Sequence, residues 1–207
     1  KAIFAIRTRF PSSLLWTPGI GGPDNCALLS WFGVDLFDLS RSRMASYGNI
    51  LLSELGPRYP DSTLNEKSDL ESQYNHWIKS ISATRSAIQH NSLRELAERQ
   101  STSSAKSVEH LRRHDILINN TKNTFLFSSA VTKNRKLRCH TFESRNDPLI
   151  SNWRDRVNDN YMPPEHQREI LVLLPCSAKK PYSLSQSHRI FKKYLGSKFL
   201  NEVMVTS

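Results

Sequence analysis

The sequence has little cysteine, no long apolar run and comparatively few acidic residues, and each shortage excludes a class of protein. Its 207 residues include three cysteines, an odd number at wide spacing, so we expect reduced thiols and no disulfide framework. No apolar run approaches the roughly 20 residues that span a bilayer, and no signal-peptide pattern opens the chain. We therefore expect a cytoplasmic protein without a membrane partner.

Basic residues outnumber the acidic ones. Lys and Arg total 29 against 19 Asp and Glu, which gives a formal net charge of +10. Such an excess favours polyanionic partners, nucleic acid first and an anionic membrane surface second. The length is sufficient for one large or two small domains with a core.

The pattern around residue 175 predicts a strand, a loop and a helix. Residues 170–174 form a continuous apolar run, which is typical of a strand buried on both faces in a parallel sheet. Pro175 ends the run, and Ser185 or Ser187 can cap a following helix. Open α/β sheets bind ligands beyond the carboxyl ends of such strands.

The loop carries one thiol, that of Cys176. Lys179, Lys180 and His188 are close to it in sequence, and cationic neighbours favour the thiolate, which is the nucleophilic form. The alternative is that Cys176 is a small buried residue at a strand end and that the serines are helix caps. These residues alone leave both interpretations open.

The order of residues in this loop resembles the signature of the archaeosine synthases, the lysine-adding branch of the archaeal tRNA-guanine transglycosylase-like family. The resemblance implies an enzyme that adds the side-chain amine of lysine to the nitrile of 7-cyano-7-deazaguanine in the D-arm of tRNA. Lysine is then a co-substrate, and no cofactor is expected. The seven matching positions are Pro175, Cys176, Lys180, Pro181, Tyr182, Ser185 and His188.

Roles within this site are hypotheses built on that resemblance. Cys176 would be the nucleophile, His188 would move protons, and Lys180 would favour the thiolate or hold an anion. Tyr182 and Ser185 would orient the base, and with Pro175 and Pro181 they would form the substrate-binding part of the site.

A second stretch indicates the same family. Residues 14–16 and 34–38 are short apolar runs that flank a glycine-rich loop and a helix ended by Gly33, a βαβ pattern. The loop can cradle a phosphate or be a simple turn. Residues 33–38 look like the last strand region of the transglycosylase barrel, whose catalytic aspartate matches Asp38. Asp38 is therefore a further candidate for substrate binding.

Zinc is not expected, although the family commonly has a Cys-x-Cys-x-x-Cys site followed by a histidine. The corresponding positions are Pro57, Tyr59 and Ser62, with His90 further on. Proline cannot ligate zinc, and no other cluster supplies four ligands. We predict no metal site.

Helices and a basic segment are predicted between these two regions. Residues 69–99 have helical apolar spacing that predicts core packing, and His90 leaves one or two helices equally open. Residues 101–107 are a candidate linker, residues 125–127 a candidate strand, and residues 148–161 an amphipathic helix. The basic segment at residues 133–140 is either an RNA-phosphate contact or a solvated loop. Its candidate RNA-binding residues are Lys133, Arg135, Lys136 and Arg138.

The expected fold class is α/β in three parts. Residues 1–100 would be the end of a TIM-barrel-like transglycosylase domain with its following helices, residues 101–145 a linker, and residues 146–207 the first part of a second α/β domain with a three-layer, mostly parallel sheet. The expected partners are tRNA, a second copy or a complementary chain that supplies the rest of the barrel and an RNA-binding domain, and a radical-SAM enzyme. The alternatives are a base-exchanging tRNA-guanine transglycosylase and a non-catalytic tRNA-binding subunit.

Overall fold

The fold was obtained as a computed structural model that describes residues 1–121, 136–196 and 199–205. The chain divides into two compact units, residues 1–154 and residues 155–207. The described helices include none with the length and apolar character needed to cross a membrane. Helices and strands are mixed in the chain, which confirms the α/β class.

The first unit is mainly helical. A two-stranded antiparallel hairpin lies between its third and fourth helices, with Leu51 paired to Arg58. Two short 3-10 helices, Ser62–Leu64 and Phe142–Asn146, complete the unit. Its elements are α1 (Ala2–Arg9), α2 (Cys26–Phe32), α3 (Ser40–Tyr47), β1 (Leu51–Ser53), β2 (Gly56–Arg58), α4 (Leu70–Gln89), α5 (Leu93–Ser101) and α6 (Ala105–Asn119).

The core of this unit lies among α1, α2, α5 and α6. Leu28, Trp31 and Phe32 of α2 pack against Ala97 of α5 and against two residues of α6, with Ile3 and Phe4 of α1 at the edge. α2 ends at Gly33, whose φ of 104° is the left-handed conformation that glycine adopts without strain. The two core residues of α6 are Leu111 and Ile118.

The predicted helical stretch at residues 69–99 is two helices, α4 and α5, separated at His90 and Asn91. The prediction that its apolar stripe is core packing holds for Trp77 of α4, which is buried, but not for Leu70, Tyr74 and Ile78, which are about half exposed. The buried residues of α4 are mostly polar. One of them is Gln73, whose side chain accepts from Leu52 N at 3.1 Å and donates to Ile50 O at 2.6 Å.

The two strands predicted around α2 are reduced to one isolated parallel bridge, between Trp16 and Leu36. Both side chains are about half exposed. In the described part of the chain they lack the burial that would stabilise a longer strand pairing. The candidate linker at residues 101–107 holds the short connection between α5 and α6, and Ser104 caps α6 by accepting from Ser107 N at 3.1 Å.

α7 (Pro148–Asn160) crosses the division at residue 154, and the second unit continues with β3 (Leu171–Pro175), α8 (Gln186–Leu195) and β4 (Asn201–Val205). β3 and β4 pair in parallel, with Leu171 opposite Asn201. The helix predicted at residues 148–161 and the parallel pairing are confirmed.

The prediction that β3 is buried on both faces is wrong for the described residues. Leu174 is buried, whereas Leu171 and Leu173 are about 60% exposed. Because side chains alternate across a strand, only one face of β3 is covered. The predicted strand at residues 125–127 lies outside the described residues, and the three-part division of the chain stays a prediction.

Candidate active site

The loop from Pro175 to His188, here the motif segment, connects the end of β3 to the first turn of α8. Ser185 is the N-cap of α8, and its Oγ accepts from His188 N at 3.2 Å. Of the two caps left open by the sequence, the structure has Ser185. The cap places His188 in the first turn of the helix, facing back toward β3.

The His188 ring joins the two ends of the motif segment. Its Nε2 lies 2.9 Å from the carbonyl oxygen of Pro175. A carbonyl only accepts, so Nε2 carries the proton and Nδ1 is the nitrogen that can take one up. The ring is buried and stacks on Tyr182, with centroids 5.2 Å apart. Phe191 contacts the ring edge-on at 5.5 Å.

Lys180 is connected to the same cluster through Tyr182. Its Nζ lies 5.9 Å from the centroid of the Tyr182 ring, on the face of the aromatic system. The Lys180–Pro181 peptide is cis, and Pro181 begins a single 3-10 turn in which its carbonyl accepts from Leu184 N at 3.0 Å. The signature residues therefore form one continuous local structure.

Cys176 follows Pro175 directly and is exposed. Within the described part of the chain its Sγ makes no hydrogen bond, either to His188 or to Lys180. The structure thus connects the thiol to His188 through the backbone of Pro175. An accessible thiol is able to meet a substrate, whereas Cys26 is buried and its pKa is raised by that burial.

Asp38 lies in the first unit and holds backbone groups there. Its carboxylate accepts from Ser40 N at 2.9 Å and from Gly19 N at 3.1 Å. The bond from Ser40 is the main cause that lowers the pKa of Asp38 below its usual range. The hydrogen bond from Gly19 N holds the glycine-rich loop against Asp38, as expected for a simple turn.

The candidate RNA-binding residues divide between described and undescribed parts of the chain. Lys133 and Arg135 lie outside the described residues. Lys136 and Arg138 are exposed in the first unit and line a cleft that also contains Arg99. Sequence reasoning missed Arg99, because its place next to the basic segment is decided only by folding.

No group of three or more His, Cys, Asp and Glu side chains within residues 1–121, 136–196 and 199–205 is placed to hold a metal ion. Pro57 lies in β2, and its ring offers no ligand atom. The residues at the family's zinc positions therefore do not fit zinc, and the absence of a metal site stays a prediction.

Comparison with known proteins provides the family. Residues 150–207 match a domain of unknown function, DUF5591. Over 95% of its length the chain is 28% identical to an archaeosine synthase subunit alpha of Methanosarcina acetivorans, covering 35% of that relative. The chain resembles part of an archaeosine synthase. The family resemblance indicated by the motif segment is thus confirmed.

Two further archaeosine synthases show the same extent of similarity. The chain is 29% identical over its whole length to the subunit alpha of Thermoplasma acidophilum, covering 39% of that relative. It is 30% identical over 95% of its length to the archaeosine synthase of Methanocaldococcus jannaschii, covering 32% of it. The chain therefore spans 32% to 39% of the length of these archaeosine synthases. No solved structure matches the chain.

Proposed function

We propose that this chain is part of a tRNA-modifying enzyme of archaeosine biosynthesis, and that the motif segment is its active-site loop. One observation carries the proposal: the complete signature folds into a single structure in which His188 bonds the carbonyl of Pro175, immediately before the exposed Cys176. The names of the relatives support the same pathway. We further propose that residues 1–100 correspond to the end of a transglycosylase-like barrel with its following helices, and residues 146–207 to the first part of a second α/β domain with a three-layer, mostly parallel sheet.

The proposed reaction joins lysine to the nitrile of 7-cyano-7-deazaguanine in tRNA. The thiolate of Cys176 adds to the nitrile carbon, and the nitrile nitrogen takes a proton, which gives a thioimidate. The lysine amine then adds to the same carbon and loses a proton while the C–S bond breaks. The product is an amidine and the thiolate is regenerated, so every atom of lysine is retained. Covalent catalysis divides one hard addition into two easier steps.

His188 suits proton transfer because Nε2 donates to the carbonyl of Pro175, which leaves Nδ1 to accept a proton. Tyr182 keeps the imidazole plane fixed by stacking. Lys180, held near the Tyr182 ring, supplies positive charge for the thiolate or for a bound anion. The proposal implies tRNA as substrate and lysine as co-substrate. It also implies a complementary chain with the rest of the barrel and an RNA-binding domain, and a radical-SAM enzyme as partner.

Replacement of Cys176 by Ala tests the covalent step. The complete enzyme that contains this chain is incubated with lysine and tRNA bearing the nitrile base, and the digested nucleosides are measured by mass spectrometry. We expect wild type to add the full mass of lysine and Cys176→Ala to add none, with tRNA binding unchanged. Cys139→Ala, which removes the other exposed thiol, is the control and should retain activity.

Three results would contradict the proposal. Full turnover by Cys176→Ala removes the covalent step. Base exchange that needs Asp38 and not Cys176 favours a transglycosylase. Binding of tRNA by wild type without any mass change favours a non-catalytic subunit.

A further inference from the structure

The first unit contains a cleft lined by more cationic than anionic side chains. The cleft lies between α4, α5 and residues 136–140, and has a volume of about 440 Å³. Ala83, Ala87 and Leu96 give it apolar lining. We name as the basic cleft the space lined by His90, Glu95, Arg99, Lys136, Arg138 and His140.

The permanent cations of the basic cleft differ from those arginines of the same unit that form ion pairs. Arg41, Arg58 and Arg94 each bond a carboxylate. Arg99 and Lys136 make no ion pair within the described residues, and the same holds for Arg138. All three are exposed. Unpaired cations that converge on a concave surface create a positive potential that a bound anion relieves.

A buried carboxylate holds the basic segment against the cleft. Glu98 is 2% exposed, and its Oε1 accepts from Thr141 N at 2.6 Å, from Thr141 Oγ1 at 2.8 Å and from Ser144 Oγ at 2.6 Å. Glu98 precedes Arg99 in α5, so this contact places the basic segment beside that arginine. The segment is anchored at one end, which favours a binding role over a solvated loop.

We propose that the basic cleft binds successive backbone phosphates of an RNA strand. Arg99 is the fixed cation from the helix, and Lys136 and Arg138 are the cations from the anchored segment. The cleft is larger than a single phosphate needs, and its three cations come from two elements, as expected for a strand that crosses it. The inference rests on the proposed function for the identity of the polyanion, since tRNA is the substrate there.

The test is RNA binding as a function of salt. Fluorescently labelled, unmodified tRNA transcript is titrated with the full chain in its native assembly, and Kd is measured by anisotropy from 50 to 300 mM KCl. The cleft variant carries Arg99→Gln, Lys136→Gln and Arg138→Gln together. Each lost contact should weaken binding about tenfold at low salt and reduce the slope of log Kd against log salt by about 1.

A matched control removes the same charge elsewhere. Arg43→Gln, Lys79→Gln and Lys106→Gln replace three exposed cations outside the cleft, and should change Kd and slope far less. Equal losses in both triple variants would show a net-charge effect and overturn the proposal, as would wild-type binding by the cleft variant. Tryptophan fluorescence of each variant verifies folding.

Two more measurements separate this proposal from the proposed function and from binding of free phosphate. Competition by 10 mM inorganic phosphate at constant ionic strength should leave tRNA bound, and full displacement would assign the cleft to free phosphate. Lysine addition is measured with the same proteins. Loss of tRNA binding in the cleft variant supports the cleft even if wild type adds no lysine, and retained binding refutes the cleft even if wild type adds lysine.

Discussion

Replacement of Asp115 by Asn should change how the stability of the first unit depends on pH. Asp115 is fully buried in α6 and its Oδ2 accepts from Arg94 at 2.8 Å. The same guanidinium bonds Glu98 Oε2 at 3.0 Å, so two carboxylates share one positive charge. Among the described residues Oδ1 of Asp115 has no hydrogen-bond partner, whereas Oε1 of Glu98 has several donors. Asp115 is therefore the carboxyl that keeps a proton.

Burial is the main cause that raises the pKa of Asp115, to about 7 from the usual 3.8, against the opposing effect of Arg94. A carboxyl whose pKa is raised by folding stabilises the native state below the unfolded pKa and loses that contribution as pH rises through the folded pKa. The loss falls between pH 4 and pH 8. Its size, at 1.36 kcal/mol for each pKa unit, is about 4 kcal/mol.

Asparagine has the shape of the protonated aspartate and does not titrate. The free energy of unfolding of wild type minus that of Asp115→Asn should therefore fall by about 4 kcal/mol from pH 4 to pH 8. Urea unfolding followed by tryptophan fluorescence measures it, because all four tryptophans lie in residues 1–154. Other titrating groups are common to both proteins and cancel.

Two outcomes would refute the reasoning for Asp115. A difference that is independent of pH would mean that Asp115 has the same pKa in both states. A difference that grows in favour of wild type as pH rises would mean that the ionised pair with Arg94 is preferred to the proton.

Two further substitutions test the contacts that hold the cleft and the motif segment. Glu98→Ala removes a buried partner of Arg94 and should lower the free energy of unfolding, measured with urea, by about 3 to 5 kcal/mol. The control Glu109→Ala, in the surface pair with Arg113, should lower it by less than about 1 kcal/mol. Equal losses would contradict a special role for Glu98. Ser185→Ala removes the cap of α8, which contributes about 1 kcal/mol to the stability of the helix. The amide hydrogen exchange rates of residues 186–195 should therefore rise by a factor of about five. Ser183→Ala, an exposed serine two positions earlier, is its control, and unchanged exchange in Ser185→Ala would refute the capping role.

The motif segment was predictable because its signals are local. An apolar run ended by Pro175, a capping serine and helical spacing beyond it predict β3 and α8 without knowledge of the rest of the chain, and both are present. The parallel sheet expected from the continuous apolar run is present as the pairing of β3 with β4. The order of Cys176, Lys180 and His188 in the chain also indicated the family, since a signature is a property of the sequence.

Burial and long-range contacts were decided by tertiary structure. Leu70, Tyr74 and Ile78 of α4 are about half exposed, whereas Gln73 is buried and bonds the backbone beside β1, an arrangement that periodicity does not contain. An apolar run indicates that a strand can be buried, but not which of its faces other elements cover. The exposed face of β3 could therefore not be deduced from the sequence.

The first unit is held together by contacts between residues that are far apart in the sequence. Arg94 meets Asp115 across 21 positions of sequence, and Glu98 meets Thr141 across 43. Such contacts have no periodicity and depend on which helices pack together, so folding alone places Arg99 beside the basic segment. The sequence by itself determined the motif segment, its flanking strand and helix, and the family, because those depend on neighbouring residues. Tertiary structure decided which cations are paired and which of them, Arg99, Lys136 and Arg138, make no ion pair with the described residues, because pairing depends on distance in space.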